Sequence, residues 1–308
     1  MQKKEFYYKS ADGETEIHAC MWQPEREPVG VIQIAHGVTE YILRYSELAE
    51  FFVERGYVVV GNDHIGHGKS VAPGKEKMYF GKEGSWAFVV DDIKNCVDMT
   101  KEMFPNIPYI IIGFSLGSFL VRTYLIKYPG QVNGAILMGT GQIPAFPLKL
   151  VRKMVVKEAE EVGEDHTSKK IHDLSFGTYN KKFAPNKTDY DWLCSNEDEL
   201  KKYIEDPSRG GDFTAGLFRE MLDGMLYTSQ IDNMKKMDKD MPILILSGDK
   251  DPVGDFGKGV NRTYKALKKA GIEDVKMQMY HNARHDILHE DCTDSVKNDI
   301  YSWIKTIV

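Results

Sequence analysis

The stretch YIIIGFSLGSFLVRTYLIKYP, residues 109–129, runs from a short apolar segment through a serine between two glycines into a segment of helical pattern. Its β-branched residues Ile110–Ile112 predict a buried strand, and Phe119–Tyr128 predict a helix that ends before Pro129. The stretch therefore predicts a strand, a sharp turn and a helix, the unit from which sheets covered by helices are built.

Ser115 lies at this turn, and its type and position allow two roles. A nucleophile elbow requires small neighbours, because side chains there would collide with the strand and the helix. Gly113 and Gly117 meet that requirement. Serine is also a favoured residue for capping a helix, so the turn alone does not decide between the two roles. A nucleophile also needs a histidine and an acid from elsewhere in the chain.

The rest of the core repeats this alternation of strand and helix. Short, nearly continuous apolar runs are what parallel strands buried on both faces require. These runs occupy residues 30–37, 56–63, 108–115, 134–141 and 242–249. Before them, Asp12-Gly13 is a turn signal between two alternating stretches and predicts a hairpin at the sheet edge. The sequence thus predicts an α/β fold with a mostly parallel central sheet flanked by helices.

One long segment interrupts the alternation. Between about residues 141 and 240, charged stretches of helical pattern replace the strands and are mixed with aromatic residues and prolines. The strand pattern resumes at Met241. We interpret residues 141–240 as a helical cap inserted into one core, which is formed by residues 1–140 and 241–308.

The acid is expected in a loop that follows a later strand, because chains with a nucleophile elbow supply serine, acid and histidine in that order. Asp249 and Asp251 are the candidates. Asp249 directly follows the strand, where aspartate commonly bonds to the turn backbone. Asp251 lies further into the loop, before Pro252, which restricts it to an extended shape. We favour Asp251.

Three histidines follow the next predicted strand, VKMQMY at residues 275–280. His281 comes directly after this strand, and His289 falls in the last predicted helix. His285 lies in the middle of the loop, the position that suits a base acting with Asp251. We therefore predict His285 as the residue that accepts the proton of the serine.

Acyl transfer also needs backbone N–H groups aimed at the oxyanion. Leu116 directly follows the serine and supplies one candidate N–H group. Val38, in the loop after the first parallel strand, supplies the other, and Gly37 lets that loop approach the site. We expect His36 to shape this loop rather than to transfer protons.

Composition restricts the compartment and the partners. A net charge of −6 gives no general attraction for nucleic acid. The chain has no apolar run of about 18 residues and no signal-peptide pattern, which favours a cytoplasmic protein without an integral membrane segment. Its four cysteines are widely spaced, which predicts free thiols in a reducing compartment and no metal site. The chemistry requires no cofactor.

Five motifs follow one another along the core: HGVTEYILRY (36–45), DHIGHGKS (63–70), GFSLGS (113–118), SGDKDPV (247–253) and RHDILHE (284–290). Together they resemble the monoglyceride lipase and lysophospholipase branch of the α/β-hydrolases, also classed as serine aminopeptidase-like. The resemblance implies Ser115, Asp251 and His285 as the catalytic triad. It also implies Val38 and Leu116 as the oxyanion donors, in agreement with the choices made from the residues.

The same resemblance bears on four other polar residues and on the cap. Glu40 and Arg44 are spaced to pair along a helix and are given a structural role. His64 and His67 are implied to shape a loop, not to bind metal. The cap stretch at residues 176–193 resembles the caps of bacterial lysophospholipases.

The predicted activity is hydrolysis of a monoacylglycerol, a lysophospholipid or a similar acyl ester. Aromatic residues of the cap are candidates for an acyl pocket: Phe146, Phe176, Phe183, Trp192, Phe213 and Phe218. A serine aminopeptidase or amidase is the alternative, with acidic runs at 157–165 and 196–200 to hold a free amine. A non-catalytic binding protein with this fold is the third hypothesis.

Overall fold

The computed structural model describes residues 1–308 and contains a single eight-stranded sheet. Its strands are β1 (Gln2–Lys9), β2 (Glu16–Gln23), β3 (Gly30–Ala35), β4 (Tyr57–Asn62), β5 (Tyr109–Phe114), β6 (Gly134–Met138), β7 (Ile243–Gly248) and β8 (Val275–Tyr280). In space they follow the order β1-β2-β4-β3-β5-β6-β7-β8. β2 pairs antiparallel with β1 and β4, and all other pairs are parallel. The predicted mostly parallel sheet is confirmed.

The predicted hairpin at the sheet edge is also confirmed. β1 and β2 pair along their whole length, from Gln2 opposite Gln23 to Lys9 opposite Glu16. Gly13 in the connecting loop has a φ of 77°, which glycine adopts without strain.

Ten α-helices accompany the sheet: α1 (Ser46–Glu54), α2 (Trp86–Met103), α3 (Leu116–Lys127), α4 (Ala145–Val162), α5 (Lys169–Ser175), α6 (Glu197–Glu205), α7 (Ala215–Ser229), α8 (Ile231–Met234), α9 (Lys258–Lys269) and α10 (Thr293–Ile304). Two short 3₁₀ helices span Ile42–Tyr45 and Tyr179–Phe183. None of the helices is both long and apolar enough to span a bilayer.

The central strands are buried on both faces, which explains their continuous apolar sequence. Every residue of β3 is buried, and successive side chains enter different cores. Val31 packs into one hydrophobic core, whereas its neighbour Ile32 packs into another.

The segment between β6 and β7 contains five of the helices, α4 to α8. The two strands are nevertheless direct neighbours, with Ala135 opposite Ile243. Within the segment α4 packs against α7, and α7 packs against α3 of the core. This arrangement supports the proposed division into a core (1–140 and 241–308) and an inserted cap (141–240).

Candidate active site

Ser115 lies between β5 and α3 in a strained backbone conformation. Its φ of 51° and ψ of −116° fall in a region that residues other than glycine seldom adopt. The N–H of Ser115 donates to the carbonyl of Met138 at 2.9 Å, which ties the turn to β6. The Ser115 side chain makes no capping hydrogen bond to α3. The geometry therefore gives no support to a capping role for this serine.

At this turn the backbones of β5, α3 and β3 lie so close together that neither Gly113 nor Gly117 has room for a side chain. A Cβ atom on Gly113 would lie 2.4 Å from the carbonyl oxygen of Gly117. A Cβ atom on Gly117 would lie only 2.0 Å from the carbonyl oxygen of Ala35 in β3. Because these are backbone atoms, no side-chain rotation relieves the overlap.

Replacement of Gly117 by alanine is expected to lower the free energy of unfolding by about 3 kcal/mol or more, because β3 and α3 must separate. Chemical denaturation measures this loss. Gly211→Ala is the matched control, since a Cβ atom at Gly211 meets nothing within 4 Å and should leave stability nearly unchanged. Equal stability of the two variants would contradict the tight packing of the turn.

Asp251 and His285 meet at the carboxyl ends of β7 and β8. Nδ1 of His285 lies 2.9 Å from Oδ2 of Asp251, and the two side chains are 2% and 0% exposed. The ring N–H is not aligned with the carboxylate closely enough for a well-formed hydrogen bond. Catalytic hydrogen bonds are often poorly aligned in enzymes without bound substrate. The other carboxylate oxygen of Asp251 accepts the N–H of Val253 at 2.8 Å, which fixes its orientation.

The pKa of His285 reflects two opposing influences. Burial by itself lowers this pKa, because a charged imidazole is costly in an apolar surrounding. The Asp251 carboxylate more than compensates, with smaller help from Asp286 and Glu40, so the pKa of His285 is raised. The surroundings thus stabilise the imidazolium that forms when His285 accepts a proton.

The other candidates for acid and base lie elsewhere. His281 bonds to Asp249 at 2.9 Å, and its side chain is 82% exposed. His289 pairs with Asp286 at 2.8 Å. Among the three candidate histidines, only His285 both contacts Asp251 and lines the cavity at Ser115.

The residues predicted to supply the oxyanion donors lie at the same cavity as Ser115 and His285. Val38 and Leu116 are both part of its wall. Neither residue's N–H group has a hydrogen-bond partner within the protein. We expect these two N–H groups to donate to an oxygen atom of a bound substrate.

The loop that carries Val38 is shaped by buried histidines. Nδ1 of His36 donates to the carbonyl of Gly37 at 2.7 Å, and its Nε2 accepts the N–H of His64 at 3.0 Å. Burial lowers the pKa of His64 to about 3 and that of His67 to about 4, so both rings are neutral at pH 7. These contacts agree with the loop-shaping role expected for His36 and His64.

A cavity extends from Ser115 between the core and the cap. Of its 26 lining residues, 20 are hydrophobic, which suits an apolar ligand. Four of the predicted aromatic residues contribute to the wall: Phe176, Trp192, Phe213 and Phe218. The ring of Trp192 lies 5.4 Å from that of His285, so the cap reaches the proposed base.

Two of the predicted pocket residues lie outside this cavity, which corrects the sequence prediction. Phe146 is 74% exposed, because the helical period of α4 turns it to solvent while Leu148 faces the cavity. Phe183 instead packs against the guanidinium group of Arg284, at 4.5 Å from its ring centroid, beside a separate cleft.

The sequence reasoning also missed aliphatic residues that line the cavity. Met221, Leu222 and Met225 of α7 contribute to the wall beside Phe218. Their spacing of three, four and seven residues from Phe218 is the signature of one helix face. This signal was available in the sequence and extends the predicted pocket along α7.

Comparisons with known proteins show which family the chain belongs to. The family model described as serine aminopeptidase, S33, matches residues 26–292. Monoacylglycerol lipase of Mycolicibacterium smegmatis is 27% identical over 289 residues, which cover 92% of this chain and 91% of that protein. Human monoglyceride lipase is 25% identical over 300 residues, covering 96% and 88%.

A solved structure of a thermostable carboxyl esterase from Bacillus coagulans, in complex with glycerol, superposes with a TM-score of 0.92. It is 27% identical, and the superposition covers 100% of this chain and 99% of that one. The resemblance inferred from the five motifs and the predicted fold are thereby confirmed. The chain belongs to the family described as serine aminopeptidase, S33, within the α/β-hydrolases.

Proposed function

We propose that the chain hydrolyses acyl esters by a two-step transfer in which Ser115 is the nucleophile, His285 the base and Asp251 the acid. The chain is a carboxylic ester hydrolase. One observation carries the assignment of roles. Ser115, His285, Val38 and Leu116 line a single apolar cavity, and His285 contacts a buried aspartate.

In the first step His285 accepts the proton of Ser115, and the serine oxygen attacks the ester carbonyl carbon. The N–H groups of Val38 and Leu116 donate to the oxyanion. The carbon–oxygen bond to the alcohol then breaks, and His285 returns the proton to the departing alcohol. In the second step His285 accepts a proton from water, whose oxygen attacks the carbonyl carbon of the acyl-enzyme. The bond between this carbon and the Ser115 oxygen then breaks, and His285 returns the proton to the serine oxygen as the carboxylic acid leaves.

The cavity supports an apolar acyl chain in the substrate. Most of its lining residues are hydrophobic, and the aromatic cluster of the cap forms one wall. Relatives that match nearly the whole chain are named monoacylglycerol or monoglyceride lipases. We therefore place monoacylglycerols first among the substrates, followed by lysophospholipids and similar acyl esters.

The aminopeptidase alternative lacks a carboxylate placed to hold a free amine. None of the acidic residues at 157–165 or 196–200 lines the cavity. Glu40 is the one acidic residue in its wall, and it is already paired with Arg44.

The set of site residues and the esterase relatives support an enzyme over a non-catalytic binding protein. All four cysteines are free, which supports the proposed cytoplasmic location.

Relative turnover of monolauroylglycerol, lauroyl lysophosphatidylcholine and alanine p-nitroanilide tests the substrate class. We expect kcat/KM to be highest for monolauroylglycerol, because its acyl chain fills the apolar cavity and its small alcohol needs no amine-binding carboxylate. Faster turnover of the anilide would overturn the proposal in favour of an aminopeptidase.

A pair of variants on α4 locates the acyl group. Leu148→Trp fills part of the cavity and should lower kcat/KM for p-nitrophenyl laurate by about tenfold or more relative to p-nitrophenyl butyrate. Leu150→Trp is the control, since Leu150 is 50% exposed on the same helix and should leave this ratio unchanged. The ratio is independent of how much protein is folded.

A further inference from the structure

Three charged side chains are packed between the two loops that carry the proposed oxyanion donor and base. Arg44 donates through Nε to Oε1 of Glu40 at 3.0 Å and through Nη2 to Oδ2 of Asp286 at 3.0 Å. The side chains of Glu40, Arg44 and Asp286 are 5%, 11% and 2% exposed. We call these three residues the charge network.

One end of the charge network fixes the oxyanion loop. Oε2 of Glu40 accepts the N–H of Gly37 at 2.8 Å and the hydroxyl of Tyr45 at 2.8 Å. The carbonyl oxygen of Gly37 accepts a hydrogen bond from Nδ1 of His36. In a trans peptide the C=O and N–H groups point in opposite directions. Holding the carbonyl of Gly37 towards His36 therefore points the N–H of Val38 away from that ring.

The other end of the charge network lies in the base loop. Asp286 directly follows His285, and its backbone N–H donates to the carbonyl of Leu193 in the cap at 2.8 Å. Its carboxylate also contacts Nδ1 of His289 at 2.8 Å. Arg44 in addition lies against the ring of Tyr203 in the cap, 5.1 Å from its centroid. The guanidinium group thus joins the oxyanion loop, the base loop and the cap.

A contribution to fold stability does not by itself explain why these three charged side chains are buried together. Removing three charges from water is costly, and well-packed apolar residues often replace buried ion pairs without loss of stability. A role in fixing the geometry of the site explains the arrangement better. The guanidinium group is planar, so each hydrogen bond that it donates sets the direction of the carboxylate as well as its distance.

We propose that the charge network is a positioning device that holds the N–H of Val38 and the ring of His285 at a fixed separation across the site. The inference rests on the proposed function, because it assigns no reacting atom of its own. A misplacement of about 1 Å at a reacting centre costs about 10²-fold in rate. Loosening the charge network should therefore act on turnover more than on substrate binding.

Glu40→Gln and Asp286→Asn test this inference. Each should lower kcat for p-nitrophenyl esters by about 10- to 100-fold while changing KM by less than about twofold. Octylboronic acid forms a tetrahedral adduct with a serine, and its inhibition constant should rise by the same factor as kcat/KM falls. Inhibition by octanol, which forms no such adduct, should be unchanged.

Glu220→Gln is the matched control for a merely structural role. Glu220 is a buried carboxylate that accepts the N–H groups of Gly84 and Trp86 at 3.1 and 2.7 Å and pairs with Arg219 at 3.2 Å, away from the cavity. This variant should lose stability and keep the kinetic constants and boronate affinity of the unchanged protein.

The proposal is overturned if Glu40→Gln and Asp286→Asn behave like Glu220→Gln, with altered stability but unchanged kcat and boronate inhibition. If either fails to fold, Arg44→Lys makes the same comparison, because lysine keeps the charge but has no fork to bridge two carboxylates. The activity of Ser115→Ala shows whether the network proposal alone has failed or the proposed function as well. If Ser115→Ala retains activity, the proposed function fails; if only the network variants are unaffected, the network proposal fails alone.

Discussion

Replacement of Ser115 by alanine is expected to lower kcat for p-nitrophenyl esters by about 10⁵- to 10⁶-fold, because no acyl-enzyme can form. Substrate binding should persist, since the cavity wall is otherwise intact. The small remaining rate reflects binding and the two N–H groups alone. Alanine tolerates the positive φ at this position no better than serine, so the free energy of unfolding should change little.

Ser118→Ala is the control for this prediction. Ser118 lies one turn along α3 and donates its hydroxyl to the carbonyl of Ser115 at 2.7 Å. It does not line the cavity. Its alanine variant should retain most of the activity. If Ser115→Ala and Ser118→Ala retain similar activity, Ser115 is not the nucleophile.

The second large effect is expected for Asp251→Asn, which should lower kcat by about 10⁴-fold. An asparagine fits the same space but can donate to Nδ1 of His285, which favours the tautomer that cannot accept a proton from Ser115. It also removes the charge that stabilises the imidazolium. Asp249→Asn is the matched control, because Asp249 bonds to exposed His281 and should leave kcat nearly unchanged.

The pH dependence of the same variant gives an independent readout. His285 acts as a base only when neutral, so kcat/KM should rise with pH through its pKa, which lies above the ordinary 6.5. Without the Asp251 carboxylate, burial predominates and lowers this pKa, so the acid limb of the profile should move to lower pH. An unchanged acid limb in Asp251→Asn would contradict the pairing.

Local pattern was sufficient for the parts of the site that depend on one strand and the turn after it. Ile110–Ile112 form the strand, and Gly113 must be small because it meets the backbone of Gly117, close in the chain. Gly117 could be recognised by its place in the turn, although the atom that excludes a side chain there is the carbonyl oxygen of Ala35 in β3. The choice of Asp251 over Asp249 relied on position within a loop, and the contact with His285 agrees with it.

The aromatic residues of a cap helix did not predict which face of that helix lines the cavity. Phe146 and Leu148 are two residues apart on α4, yet one is exposed and the other lines the cavity. Which face of α4 is buried depends on how it packs against α7. An aliphatic residue therefore occupies the place where an aromatic one was expected.

The charge network shows a second limit of sequence reasoning. The pairing of Glu40 with Arg44 could be predicted from their spacing of four residues. The bond from Arg44 to Asp286 joins residues 242 positions apart, and only the parallel packing of β3, β5, β6, β7 and β8 brings their loops together. Although Asp286 lies in the RHDILHE motif, nothing in the local sequence predicts that it pairs with Arg44.

The central claim, that Ser115 forms a covalent acyl-enzyme, is tested most directly by mass spectrometry after reaction with a fluorophosphonate. We predict a single adduct on the peptide that contains Ser115, absent in Ser115→Ala and much slower to form in Asp251→Asn. An adduct on another residue, or continued ester hydrolysis without any adduct on Ser115, would contradict the claim.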